Sequence, residues 1–131
     1  MEKEFVPYAE ALALKKLGFD ELCLASFETE TNWHMEHRPW RNSEDPTEIA
    51  SPLYQQAFRW FRENYNLRGF IGFRPNIKQF DCHVYDMSLS GKEYVKQRTM
   101  EAFTKDPKVG TYEEAELECL KKLIEIIKEK K

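Results

Sequence analysis

The stretch "TYEEAELECLKKLIEIIKEKK", residues 111–131, decides how the chain is read. Thr111-x-x-Glu114 is a capping-box pattern, in which each side chain satisfies a backbone N–H at a helix start. Acids fill the first turns and lysines the last, as the helix dipole favours. Tyr112, Ala115, Cys119, Leu120, Leu123 and Ile127 recur at helical spacing, and Leu117 and Ile124 widen the stripe. A stripe that wide predicts a helix laid across a sheet.

The strands of that sheet are sought upstream. "GFIGF" (69–73) and "IKQFDCHVYDM" (77–87) flank Pro75-Asn76, a turn pair. In the second run Phe80, Cys82 and Val84 alternate with Asp81, His83 and Tyr85, which predicts a hairpin with one buried face. Residues 88–110 are ambiguous between strand and short helix, with Pro107 and Gly110 closing them. "SPLYQQAFRWFRENYNL" (51–67) predicts a helix. Ser51 is its N-cap, Pro52 lies in its first turn, and Leu53, Ala57, Phe58, Phe61 and Tyr65 form the stripe. Asn66 or Gly69 would end it.

"PYAEALALKKL" (7–17) predicts another helix, with Pro7 at its start, Lys15 and Lys16 at its negative end and Gly18 to stop it. "ELCLASF" (21–27) reads as a buried strand, "ETET" (28–31) as a turn and "NWHMEH" (32–37) as a returning strand. "RNSEDPTEIA" (41–50) reads as loop. The expected order is α-β-β-α-β-β-(x)-α, with residues 88–110 as the unassigned element. The expected class is α+β: three helices packed on a small antiparallel sheet, in one globular domain over residues 1–131.

Composition narrows the function classes. Hydrophobic residues at 41% and aromatics at 14% suit a packed core, which a chain of 131 residues is long enough to bury. No apolar run approaches the roughly 20 residues of a membrane helix. The opening Met1-Glu2-Lys3-Glu4 lacks the apolar centre of a signal peptide. Cys23, Cys82 and Cys119 are odd in number, far apart and set among apolar residues, the pattern of buried thiols in a reducing compartment. A cytoplasmic location is therefore expected, with no membrane contact and no cofactor.

Nothing in the chain argues for catalysis. GxxxxGK[ST], HExxH and CxxC are missing, and five glycines leave little backbone to cradle phosphate. Cys82 sits at a buried alternation position, where a thiol is inert. No catalytic residue and no metal ligand is assigned. A third-ranked metal reading rests on His34, His37 and His83, but positions 34 and 37 of a strand point to opposite sides.

The middle of the chain is richer in possibilities. Six of the seven arginines fall between residues 38 and 74, and the aromatics Trp33, Trp40 and Trp60 lie among them. Trp33, Arg38, Trp40, Arg41, Arg59, Trp60 and Arg62 form the candidate binding surface. Exposed aromatics with arginine have the composition of interface hot spots, so contact with a protein partner or self-association ranks first. Nucleic-acid binding is the alternative, with Trp60 stacking on bases between Arg59 and Arg62. Against it, residues 34–80 carry seven basic side chains and five acidic ones, a small excess, and Glu63 is placed to neutralise Arg59.

"FVPYAEALALKKLGFDE", "LYQQAFRWFRENYNL" and "TYEEAELECLKKLIEI" together resemble three blocks shared by a family of short proteins carried by phages and integrated elements of gut bacteria. The blocks cover under half of the chain and coincide with the three helices. The resemblance implies a cytoplasmic, phage-related accessory role. It implies no activity and no site residues, because none is known for that family.

Overall fold

The structure, a computed structural model, describes residues 2–75, 78–87, 101–103 and 111–130. The chain runs through α1 (Tyr8–Leu17), β1 (Cys23–Thr29), β2 (Asn32–Trp40), β3 (Ile49–Ala50), α2 (Tyr54–Tyr65), β4 (Leu67–Arg74), β5 (Gln79–Asp86), β6 (Glu101–Phe103) and α3 (Tyr112–Lys130). Single 3-10 turns occupy Glu2–Glu4 and Asn42–Glu44. The class is α+β, with antiparallel strands throughout. One sheet is expected; the strands instead form two, ordered β2-β1-β3 and β4-β5-β6. The second edge of β1 is taken by Ile49–Ala50, inside the segment read as loop, so the first sheet is completed locally. The chain divides into two compact units, Met1–Ala57 and Phe58–Lys131, with the boundary inside α2. Among the described residues no helix is long and apolar enough to cross a membrane.

In the first unit, α1 begins after Pro7, whose extended backbone presents its carbonyl to the Ala11 N–H at 2.8 Å. It ends at Gly18, where φ of 103° is a left-handed value that glycine tolerates. Ala11 and Leu14 are buried, and Tyr8 meets Phe27 edge to face at 5.5 Å between ring centres. Lys15 does more than complement the dipole: its Nζ donates to the carbonyls of Pro46 and Glu48, at 2.9 and 2.8 Å. Asn42, buried, donates to the Phe19 carbonyl at 2.9 Å and accepts from the Ala50 N–H at 2.8 Å. The start of the chain closes on residues 51–53. Val6 N–H donates to Pro52 O at 2.8 Å, Ser51 Oγ donates to Val6 O at 2.9 Å, and Phe5 bridges to Leu53. This clasp occupies Ser51, so it does not cap α2, which starts at Tyr54, two residues later than an N-cap at Ser51 implies.

In the second unit, Asn66 ends α2 with φ of 55°, and its carbonyl accepts from the Met87 N–H at 2.7 Å. Gly69 is part of β4 and terminates nothing. β4 and β5 pair without a register shift from Leu67↔Asp86 to Arg74↔Gln79. Thr111 caps α3 as expected, its Oγ1 accepting from the Glu114 N–H at 3.2 Å. Ala115, Cys119, Leu120, Leu123 and Ile127 are buried, each large one contributing about 1.5–3 kcal/mol. Tyr112 is exposed and touches Phe80 edge-on at 5.6 Å. The hairpin's other face is not simply solvated. Asp81 is buried and accepts from His83 Nε2 at 2.9 Å. Opposite it, Gly72 leaves no room for a Cβ, which would lie 2.5 Å from Asp81 Oδ1. Within 88–110 only β6 is described, pairing with β5; the other assignments there lie outside the described residues.

All three cysteines are free and buried. Burial pushes the Cys23 thiol up to about 12. Hydrogen bonding with Cys82, followed by burial, holds the Cys119 thiol far above its ordinary value.

Candidate functional site

The proposed Arg/Trp surface is divided by the fold. Trp33, Arg38, Trp40 and Arg41 belong to the first unit, and Arg59, Trp60 and Arg62 to the second. Trp40 is only 7% exposed at the end of β2, where it pairs with Cys23. Trp33 is half-buried against Phe5, its Nε1 donating to Ser51 Oγ at 3.3 Å. Arg38 is exposed and paired with Glu44 at 3.1 Å, while Arg41, half-buried, donates its backbone N–H to the same carboxylate at 3.0 Å. That backbone bond, and then Arg38, holds the Glu44 carboxyl below its ordinary range.

On α2, Trp60 is 6% exposed, with its ring edge-on to Phe61 and Tyr65. An exposed stacking ring at Trp60 is thus corrected: the residue left outside the expected stripe is core. Aromatic neighbours at positions 61 and 65 enclose it. Arg59 lies 3.8 Å from Glu63, as the i, i+4 spacing implies, and Arg62 is exposed.

Among the described residues, the two sheets end on edge strands of different character. β2 ends the first sheet, and its edge is irregular: Ala25 pairs with Met35 but Cys23 with Trp40, and Pro39 lies between. Bulges and proline are devices that keep an edge from pairing. β4 ends the second sheet with eight unbroken pairs, no proline and the apolar centre Phe70-Ile71-Gly72-Phe73. Phe73 is 52% exposed. Arginines stand only near its ends, at 68 and 74.

A polar cluster covers one face of the first sheet. Ser26 on the central strand is paired with His34 on one side and Ala50 on the other. Strand alternation therefore sets Ser26 and Glu28 of β1, His34 and Glu36 of β2, and Glu48 just before β3 on the same face. Ser26 is fully buried, with Oγ 3.3 Å from His34 Nε2 and 3.0 Å from Glu48 Oε2, and it is hydrogen-bonded to Glu36. His34 Nε2 lies 3.1 Å from Glu36 Oε1. One ligand atom each from Glu28, His34 and Glu48 lies within 4.8 Å of the others. His37, exposed on the same strand, is not in this group, and His83 belongs to the second unit. A metal reading built on a second histidine leaves out three residues of this cluster: Ser26, Glu28 and Glu48. Alternation of Glu36 with His34 was available as a signal. Proximity of Glu48 was not, because it depends on β3. Comparison with protein-family models, curated proteins and solved structures returns no match.

Proposed function

We propose that the protein acts by contact, through self-association of its second unit along β4. The supporting observation is the difference between the two sheet edges: β2 is shielded by a register shift and Pro39, and β4 carries neither device. The occupant that satisfies a row of strand N–H and C=O groups is another strand. A second copy supplies one with two-fold symmetry. Side chains share a face only when the two residue numbers in each pair sum to an even value. Pairing centred on Ile71 sets Arg68 against Arg74 of the other copy, which like charge disfavours. Pairing centred on Phe70 sets Arg68 against Gly72 and avoids that repulsion.

This reading keeps the order of hypotheses drawn from the sequence but moves the surface from Trp40 and Trp60, which are buried, to β4. A cytoplasmic location belongs to the same proposal, supported by three buried free thiols. So does an accessory role in a phage or integrated element, supported by the three sequence blocks. Sedimentation velocity across a concentration series, in chelator, tests the self-association. The wild type is expected to pass from one to two chain masses, and Phe73→Lys, a charge at an exposed edge position, to remain at one. A wild type that stays at one chain mass up to its solubility limit, or an unaffected Phe73→Lys dimer, refutes the proposal.

A further inference from the structure

We propose that the polar face of the β2-β1-β3 sheet binds a first-row divalent cation through Glu28, His34 and Glu48. This inference is independent of the β4 edge. Around an ion with bonds of about 2.1 Å, neighbouring ligands sit about 3.0 Å apart and opposite ones about 4.2 Å. The three ligand atoms already lie within 4.8 Å of one another, so small side-chain rotations complete the set. Each comes from a different segment: β1, β2 and the residue preceding β3. Hydrogen bonding of those segments into one sheet fixes the spacing.

The donor chemistry selects the ion. Calcium and magnesium take oxygen ligands, whereas an imidazole beside two carboxylates suits manganese, iron or zinc. His34 is the residue that turns an acidic patch into such a set. It ligates as the neutral ring. Glu36 Oε1 lies 3.1 Å from Nε2 of that ring, so with the ion on the other nitrogen, Nδ1, Glu36 orients the ring as carboxylates do for metal-bound histidines.

Charge and hydrogen count point the same way. Three carboxylates (Glu28, Glu36 and Glu48) gather around one imidazole on this face. Ser26 has one proton to donate but faces both Glu36 and Glu48. Lys15 meets Glu48 through its backbone carbonyl, with a second bond to the Pro46 carbonyl. It positions Glu48 and leaves the carboxylate for the ion.

Calorimetric titration of the metal-free chain with MnCl2 and ZnCl2, and with MgCl2 and CaCl2 for comparison, tests the site. One manganese or zinc ion per chain is expected, with loss of the aqueous manganese paramagnetic signal on binding. His34→Ala and Glu48→Gln should each weaken binding at least about ten-fold, and Glu36→Gln by about ten-fold or more through ring orientation. His37→Ala should bind as wild type, and circular dichroism checks that every variant keeps its fold. Absence of saturable binding overturns the proposal. So does equal binding by folded His34→Ala and Glu48→Gln, or magnesium bound as tightly as manganese.

Discussion

Replacing Gly69 with alanine tests whether α3 rests directly on the backbone of β4. A Cβ at Gly69 would lie 2.9 Å from Cys119 Sγ and 2.9 Å from Leu123 Cδ1. Unstrained contacts sit at about 3.5–4.0 Å, so each neighbour must retreat by about 0.6–1.1 Å. Both are fully buried and one turn apart on the same helix, so moving one side chain leaves the other clash in place. Overpacking of this kind costs about 1–3 kcal/mol. The stiffer unfolded chain returns about 0.4–1 kcal/mol, leaving a net loss near ~1.3 kcal/mol. Urea unfolding followed by far-UV circular dichroism measures it, with an unchanged denaturant slope required. Cys119→Ala removes one of the two clashing atoms, so the alanine at 69 should cost less in that background, by at least about 0.5 kcal/mol. A Gly69→Ala variant as stable as the wild type, or an identical loss in both backgrounds, would refute a helix seated on glycine.

Asn42→Ala should destabilise the first unit by about 2–4 kcal/mol, because the Phe19 carbonyl and the Ala50 N–H both lose their partner in a buried place. An unchanged urea midpoint would mean those groups find other partners. Glu44 gives a pH test. Its carboxyl titrates below the ordinary range in the folded chain, so its contribution is present above the unfolded value and fades as pH falls through the lowered one. The stability difference between wild type and Glu44→Gln should therefore be largest near neutral pH and vanish in acid. A difference that grows on acidification contradicts the assignment.

The helices were legible because their signals are local. Thr111 as a cap, Gly18 as a left-handed stop and Asn66 as a terminator act within a few residues of themselves, and each does what its position implies. Ser51 shows where that logic ends. Serine before Pro52 is a good N-cap by pattern, but Val6, 45 residues away, takes its hydroxyl. The number of sheets was hidden for the same reason. β3 is two residues long, too short for alternation to register, yet it completes the first sheet and brings Glu48 to Ser26. Trp60 misled differently. A tryptophan one position off an apolar stripe looks exposed on a helical wheel, but a large ring spans beyond its own 100° sector and is buried by its neighbours.

The clasp between Phe5–Val6 and Ser51–Leu53 has a consequence for synthesis. Its hydrogen bonds join Val6 to residues made about forty-five positions later. Closing so long a loop carries its entropic cost before any contact rewards it. The first unit therefore cannot reach its final pairing until Leu53 has emerged, whereas the β4–β5 hairpin needs only the twenty residues from Leu67 to Asp86. A nascent chain that has emerged as far as residues 41 to 50 holds α1 and the β1–β2 pair with the clasp still open. Trapping by protease is expected to be greatest in that interval and to fall sharply once residue 53 has cleared the exit tunnel.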